Sequence, residues 1–327
     1  MSTSPRTHWD CRIRRCFATF QFGLLLLGFF IFSNRRGIVE EVWAGQTNNG
    51  AAAPTRTVPA TRSTPSSQAH SKSSADSHSR LKVRSRIALV VDADTSQELV
   101  TKNVDQVVPI ASITKLMTAM VVLDTKLPLE EKLKISDEDQ DLVMGTFSRL
   151  RVGWTLSRED MLHLALMSSE NRAAAALSRY YPGGRPAFID AMNAKAAELE
   201  MSRTHFVNPN GLTNENVSTA ADLVKLVQAA DQYPLIRQFT TDPSYDVRIG
   251  RYVISYINSN RLVGRPDWDI ELQKTGFTNE AGRCLVMLIR AQGRSLIMVF
   301  LDADGKLTRF ADARRVLMQL ALAQKTN

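Results

Sequence analysis

The sequence is poor in cysteine. Three occur in 327 residues: Cys11, Cys16 and Cys284. Only Cys284 lies beyond the N-terminal region, so no disulfide can form within the body of the chain. It sits in the strand-like run Cys284-Leu-Val-Met-Leu-Ile289, with nothing nearby to lower a thiol pKa. It therefore reads as a small buried hydrophobe. Histidine is scarce too. His8, His70, His78, His163 and His205 are scattered, and no His-Glu-x-x-His spacing occurs, which disfavours a metalloprotease. His163 on a helical pattern and His205 in a loop read as structural. No Gly-x-Ser-x-Gly elbow is present, which counts against a Ser-His-Asp hydrolase. The body also lacks excess positive charge. Residues 1–86 hold 13 Lys+Arg against 4 Asp+Glu, and the remainder holds 28 against 29, so the net +8 belongs to the N-terminal region. A nucleic-acid enzyme usually has a basic folded domain, so nucleic acid is not an expected partner.

What is present begins with Arg6, Arg12, Arg14 and Arg15, followed by an apolar run over residues 17–32 and closed by Arg35 and Arg36. A positive start before an apolar stretch marks an export signal. The run falls short of the roughly 20 residues of a comfortable membrane span, yet it is long for a signal-peptide core. Val42-Trp-Ala44, a candidate cleavage site, lies far beyond it. Residues 1–36 are thus an export signal or a membrane anchor, with the anchor preferred. Residues 37–86 are basic and rich in Ser, Thr, Ala and Pro, with little to bury, and read as a flexible tether. Its charge would either attract anionic lipid or wall polymers or merely keep a linker soluble. Residues 87–327 are ample for one sizeable core.

In that body, Ile87–Asp92 and Glu98–Thr101 read as strands joined by a turn at Asp94–Ser96. Ser112–Asp124 carries Ile113, Leu116, Met117, Met120 and Val121 at helical spacing. Further helices are expected at Ser157–Ser168, Asn171–Tyr181, Pro186–Leu199 and Thr219–Gln232. Strands follow at Tyr245–Ile249, Tyr252–Tyr256, Ile270–Thr275, Cys284–Arg290 and Leu296–Asp302, then a helix at Leu307–Ala323. Strands, a helical block, strands and a last helix predict an α+β fold whose sheet draws strands from both ends of the domain.

Three short motifs carry chemistry. Ser112-Ile-Thr-Lys115 opens the first helix. Positions i and i+3 share a helix face, so Lys115 can reach the Ser112 hydroxyl. A serine needs a base to become a nucleophile, and a lysine serves if burial and nearby positive charge lower its pKa. Alone the pattern is weak, because Ser79-Arg-Leu-Lys82 repeats it in the tether without an apolar helix behind it. Ser169-Glu170-Asn171 lies between two helices. It could relay a proton and hold a substrate carbonyl, or simply cap a helix. Lys274-Thr275-Gly276 ends a strand pattern, where cation and hydroxyl could bind a substrate carboxylate and the glycine admit substrate backbone. Lys274 would also depress Lys115. Ser-x-x-Lys, Ser-Asp-Asn and Lys-Thr-Gly together are the signature of class A β-lactamases and penicillin-binding proteins.

On these residues the chain resembles the low-molecular-mass penicillin-binding proteins, and within them the D-alanyl-D-alanine endopeptidases of the penicillin-binding protein 7 type. Pro109–Thr118, Met167–Ala174, Phe206-Val-Asn-Pro-Asn-Gly-Leu212 and Gln273–Thr278 carry the likeness, which extends from Ile87 onward. The resemblance implies a β-lactamase/DD-peptidase-like transpeptidase fold: an antiparallel sheet flanked by helices, plus an all-helical subdomain. It implies that Ser112 is acylated, Lys115 is the base, Ser169 and Asn171 assist, and Lys274 and Thr275 hold substrate. The N–H groups of Ser112 and Phe277 would form the oxyanion hole. No cofactor or metal is implied. The partners would be peptidoglycan, β-lactam antibiotics as covalent inhibitors and, through the N-terminal segment, the inner membrane, with the domain in the periplasm. D-Ala-D-Ala carboxypeptidase, β-lactamase and a non-enzymatic wall-binding protein are the alternatives. No Glu-x-x-Leu-Asn-like stretch supports the β-lactamase. The last helix is followed by no further domain, which favours the endopeptidase modestly.

Overall fold

The structure, a computed structural model, describes residues 82–142 and 144–325. The expected export signal and almost all of the tether lie outside the described residues. The folded chain runs β1 (Ile87–Asp92), β2 (Glu98–Lys102), β3 (Val108–Pro109), a 3-10 turn (Ala111–Ile113), α1 (Thr114–Asp124), β4 (Lys132–Lys134) and β5 (Thr155–Ser157). Then come α2 (Arg158–Met167), α3 (Asn171–Arg179), α4 (Gly184–Glu198), β6 (Val217–Ser218), α5 (Ala220–Asp231) and α6 (Pro234–Thr241). It closes with β7 (Ser244–Ile249), β8 (Tyr252–Ile257), β9 (Asp269–Thr278), β10 (Gly282–Ala291), β11 (Arg294–Ala303) and α7 (Thr308–Lys325).

The main sheet has the order β2-β1-β11-β10-β9, antiparallel throughout. Its strands from both ends of the domain meet at β1 and β11, as the element order predicted. The central strands are near-continuous apolar runs because both faces are covered. Leu89, Val286 and Val299 face the helical layer, whereas Val90, Met287 and Phe300 pack on Phe310 and Val316 of α7. One continuous core joins the sheet's inner face to α1–α6. β7 and β8 form a separate hairpin, and β3–β6 and β4–β5 are short pairs between helices.

Local chemistry explains the boundaries. Ser157 caps α2 by accepting the Asp160 N–H at 2.9 Å, and Asp160 returns the bond to the Ser157 N–H. Pro234 occupies the first turn of α6, where a missing N–H costs nothing. The expected turn after β1 is held by Asp92, whose Oδ1 accepts the N–H groups of Asp94 and Thr95.

Four differences from the sequence reading matter. Ser112 lies in the 3-10 turn ahead of α1 rather than inside the helix. Lys274-Thr275-Gly276 lies within β9, which continues to Thr278, and not at the strand's end. Helix α6 was not anticipated. The fold also takes in residues assigned to the tether: Ser85 is fully buried, its N–H and Oγ donate to Asp312 of α7 at 2.7 Å each, and Lys102 donates to the Ser85 carbonyl.

Candidate active site

The three motifs, spread over more than 160 residues of sequence, converge where the 3-10 turn meets the free edge of β9. β9 pairs with β10 on one side only. Its other side receives the Ala111–Ile113 turn so closely that a Cβ on Gly276 would come within 3.0 Å of the Ile110 oxygen and 3.1 Å of the Ser112 nitrogen. The glycine of the third motif thus admits the protein's own Ala111–Ile113 turn, a reason beyond the one the sequence suggested. A second glycine also meets this turn. A Cβ on Gly211, at φ +78°, would lie 2.0 Å from the Ala111 oxygen.

Lys115 is fully buried. Its Nζ lies 2.8 Å from Ser112 Oγ, 2.7 Å from Asn171 Oδ1 and 2.8 Å from the Asn210 carbonyl oxygen. A neutral amine has two N–H donors and one lone pair. It can donate to Asn171 and Asn210 and accept from the Ser112 hydroxyl. Burial lowers the Lys115 pKa to about 7, while the nearby Glu170 carboxylate pulls it upward. The free base is therefore accessible near neutrality.

Asn171 begins α3, and its Nδ2 donates to Thr146 Oγ1 at 3.0 Å, which fixes the amide's orientation. Ser169 adopts the left-handed region at φ +64°, unusual for a residue with a side chain. That conformation turns the chain between α2 and α3, and Ser169 Oγ accepts from Lys274 Nζ at 2.9 Å. Lys274, also fully buried, donates to the Thr275 carbonyl as well. Burial holds its pKa well below the ordinary lysine range, and the charge of Lys115 lowers it further. The expected repulsion between the lysines is present, but it falls on Lys274. Burial governs Lys115. Thr275 Oγ1 donates to Ser259 Oγ at 2.7 Å. Phe277 is half exposed, with the Arg283 guanidinium 4.2 Å from its ring centre.

All eight residues named from the sequence lie on the 3-10 turn and α1, on the turn between α2 and α3 with the first residue of α3, or on β9. Thr146, Ser259 and Asn210 were missed. Thr146 and Ser259 are single hydroxyls in loops without a pattern. Asn210 acts through its backbone carbonyl, which carries no side-chain signature. Its loop is built by Asn216, whose Oδ1 accepts the Val207 and Asn208 N–H groups and whose Nδ2 donates to Thr114 beside the nucleophile. Cys284 is buried with its thiol pKa raised to about 12, so it stays protonated. His163 is stacked between Phe239 and Tyr245, with Nε2 3.0 Å from Asp242, away from these contacts. Among the described residues no cluster of His, Cys, Asp and Glu could hold a metal ion, and no helix is long and apolar enough to cross a membrane.

Comparison with known proteins agrees with this geometry. A D-alanyl-D-alanine endopeptidase of Pseudomonas aeruginosa is 53% identical over 247 residues, covering 75% of this chain and 80% of the relative. One from Escherichia coli is 51% identical over 237 residues, covering 72% and 76%. Among solved structures, the Streptomyces K15 DD-transpeptidase superposes with a TM-score of 0.68 at 27% identity, covering 74% of this chain and 98% of the other. The cefotaxime-bound penicillin-binding protein D2 of Listeria monocytogenes gives 0.65 at 30% identity, covering 74% and 98%. The family of D-alanyl-D-alanine carboxypeptidases, peptidase S11, matches residues 72–305. With its Ser-x-x-Lys, Ser-x-Asn and Lys-Thr-Gly residues gathered together and more than half its length matched, the chain belongs to the S11 family of serine DD-peptidases.

Proposed function

We propose that this protein is a D-alanyl-D-alanine endopeptidase that opens peptide cross-links in peptidoglycan through an acyl-enzyme on Ser112. The observation that carries the reading is the buried Lys115 amine 2.8 Å from the Ser112 hydroxyl. Neutral Lys115 takes the Ser112 proton as Oγ attacks the carbonyl carbon of the D-alanine at the cross-link. The N–H groups of Ser112 and Phe277 receive the oxyanion. Gly276 brings the Ser112 nitrogen against β9 immediately before Phe277, which supports that pairing. The C–N bond then breaks, and the proton carried by Lys115 passes to the departing amine, directly or through Ser169. Water completes the cycle by hydrolysing the ester, with Lys115 again the base. Lys274 and Thr275 hold the carboxylate beyond the scissile bond, and Asn171 holds the carbonyl on the acyl side.

The choice of endopeptidase over carboxypeptidase rests on the two relatives above 50% identity, both named endopeptidases. β-Lactams, which present a strained amide to the same nucleophile, are its covalent inhibitors. The cefotaxime-bound relative supports this. The domain works in the periplasm, tied to the inner membrane by residues 17–32. Purified cross-linked muropeptide dimers and uncross-linked pentapeptide monomers discriminate the activities. Conversion of dimers to monomers is the expected result. Trimming of pentapeptides with dimers left intact would make the protein a carboxypeptidase.

A further inference from the structure

Glu170 stands between the two residues that hold the buried lysines: Ser169 accepts from Lys274, and Asn171 accepts from Lys115. Its own side chain is 8% exposed. One carboxylate oxygen accepts the Arg172 N–H at 3.3 Å, at the start of α3. Every hydrogen-bond partner of the two lysines is neutral: the hydroxyls of Ser112 and Ser169, the Asn171 amide, and the carbonyls of Asn210 and Thr275. Two buried ammonium groups without a counter-charge would cost far more than hydrogen bonds return.

The charged and titratable groups around the pair come from four elements. Lys274 faces Lys115 from β9. Glu170, ahead of α3, is the carboxylate that acts on Lys115. Tyr256 on β8 feels the same carboxylate, and its buried hydroxyl has no partner. Arg149 stacks 3.7 Å over the Tyr256 ring and donates to the Ser255 carbonyl, while Arg172 donates to the Leu150 carbonyl. Both arginines are thus held by backbone oxygens.

We infer that Glu170 is a positioning residue that sets how many protons Lys115 and Lys274 share: one buried carboxylate balances one ammonium and no more. The inference rests on the proposed role of Lys115 as the base. When Lys115 takes the Ser112 proton, the ammonium that forms is the charge Glu170 stabilises. A second-motif Glu then does more than cap α3.

The test is the pH dependence of acylation by benzylpenicillin, followed by intact mass, for the wild-type protein, Glu170→Gln and Glu170→Asp. Glu170→Gln keeps an oxygen for the Arg172 N–H and removes only the charge. Its acid limb should move about one pH unit lower, and its plateau should fall several-fold because the base is weaker. Glu170→Asp, with the charge drawn back by one methylene, should move the limb the same way by less. An unmoved limb in Glu170→Gln, whatever its plateau, overturns the inference and leaves Glu170 as a helix cap. If Glu170→Gln does not fold by circular dichroism, Glu170→Asp decides, and an unmoved limb there is equally fatal. Failure of the underlying reading is seen separately, as absent acylation of wild type or persistent acylation of Ser112→Ala.

Discussion

On the α7 side of the main sheet, Val90, Met287 and Phe300 pack hydrocarbon against Phe310 and Val316. The buried carboxylate of Asp312 beside them is met by the Ser85 N–H and hydroxyl. On the opposite side, equally tight packing encloses Lys115 and Lys274, both fully buried and both held far below an ordinary lysine pKa. Apolar burial contributes stability on the first face. Enclosing cations on the second opposes it. The proposed role of Lys115 as the base accounts for that cost. The sheet lets the two demands coexist, because alternate residues of β9 and β10 project to opposite faces.

The sharpest way to break this comparison is Lys115→Met. It should lower the acylation rate by about 10²–10⁴-fold, the usual worth of a general base, with the circular dichroism spectrum retained. An acylation rate within threefold of wild type would remove Lys115 from the chemistry. On the other face, Phe300→Ala should cost about 3–5 kcal/mol in urea unfolding, yet leave the acylation rate of the folded fraction within about twofold. A large rate loss there would mean that the two faces are coupled. Asp312→Ala strips the N-terminal clasp and should cost about 1–3 kcal/mol, because Ser85 loses its buried acceptor. A chain begun at Arg86 should show a similar loss. A further expected effect is on pH. The folded Lys115 titrates at about 7 and the unfolded lysine near 10.5. Between those values the unfolded chain holds more protons, so this residue makes stability rise with pH across that window and adds no slope below it. Lys115→Met should flatten that part of the curve, measured as urea midpoints from pH 7 to 10. Acylation should rise through the same lower value as Lys115 loses its proton.

The sheet was legible because β1, β10 and β11 carry apolar runs of five or six residues, and the first helix because Leu116, Met117, Met120 and Val121 hold one spacing. Helix α6 escaped because eight residues opening on Pro234 look like a turn. The length of β9 escaped because Lys274, Thr275 and Gly276 break its apolar pattern. At the candidate site, the eight residues stood in motifs and could be named in advance. Asn210, Thr146 and Ser259 could not, since a backbone carbonyl and isolated loop hydroxyls become partners only when the chain closes. A second role of Gly276, its closeness to the Ala111–Ile113 turn, was hidden for a related reason: sequence identifies a glycine but not the backbone pressed against it.

The most direct test of the account is a time course of intact mass with benzylpenicillin, run beside Ser112→Ala. The prediction is a single adduct of one antibiotic on Ser112, slow to leave and absent from the variant. No adduct on folded wild-type protein, or the same adduct on Ser112→Ala, would contradict the assignment of Ser112 as the nucleophile.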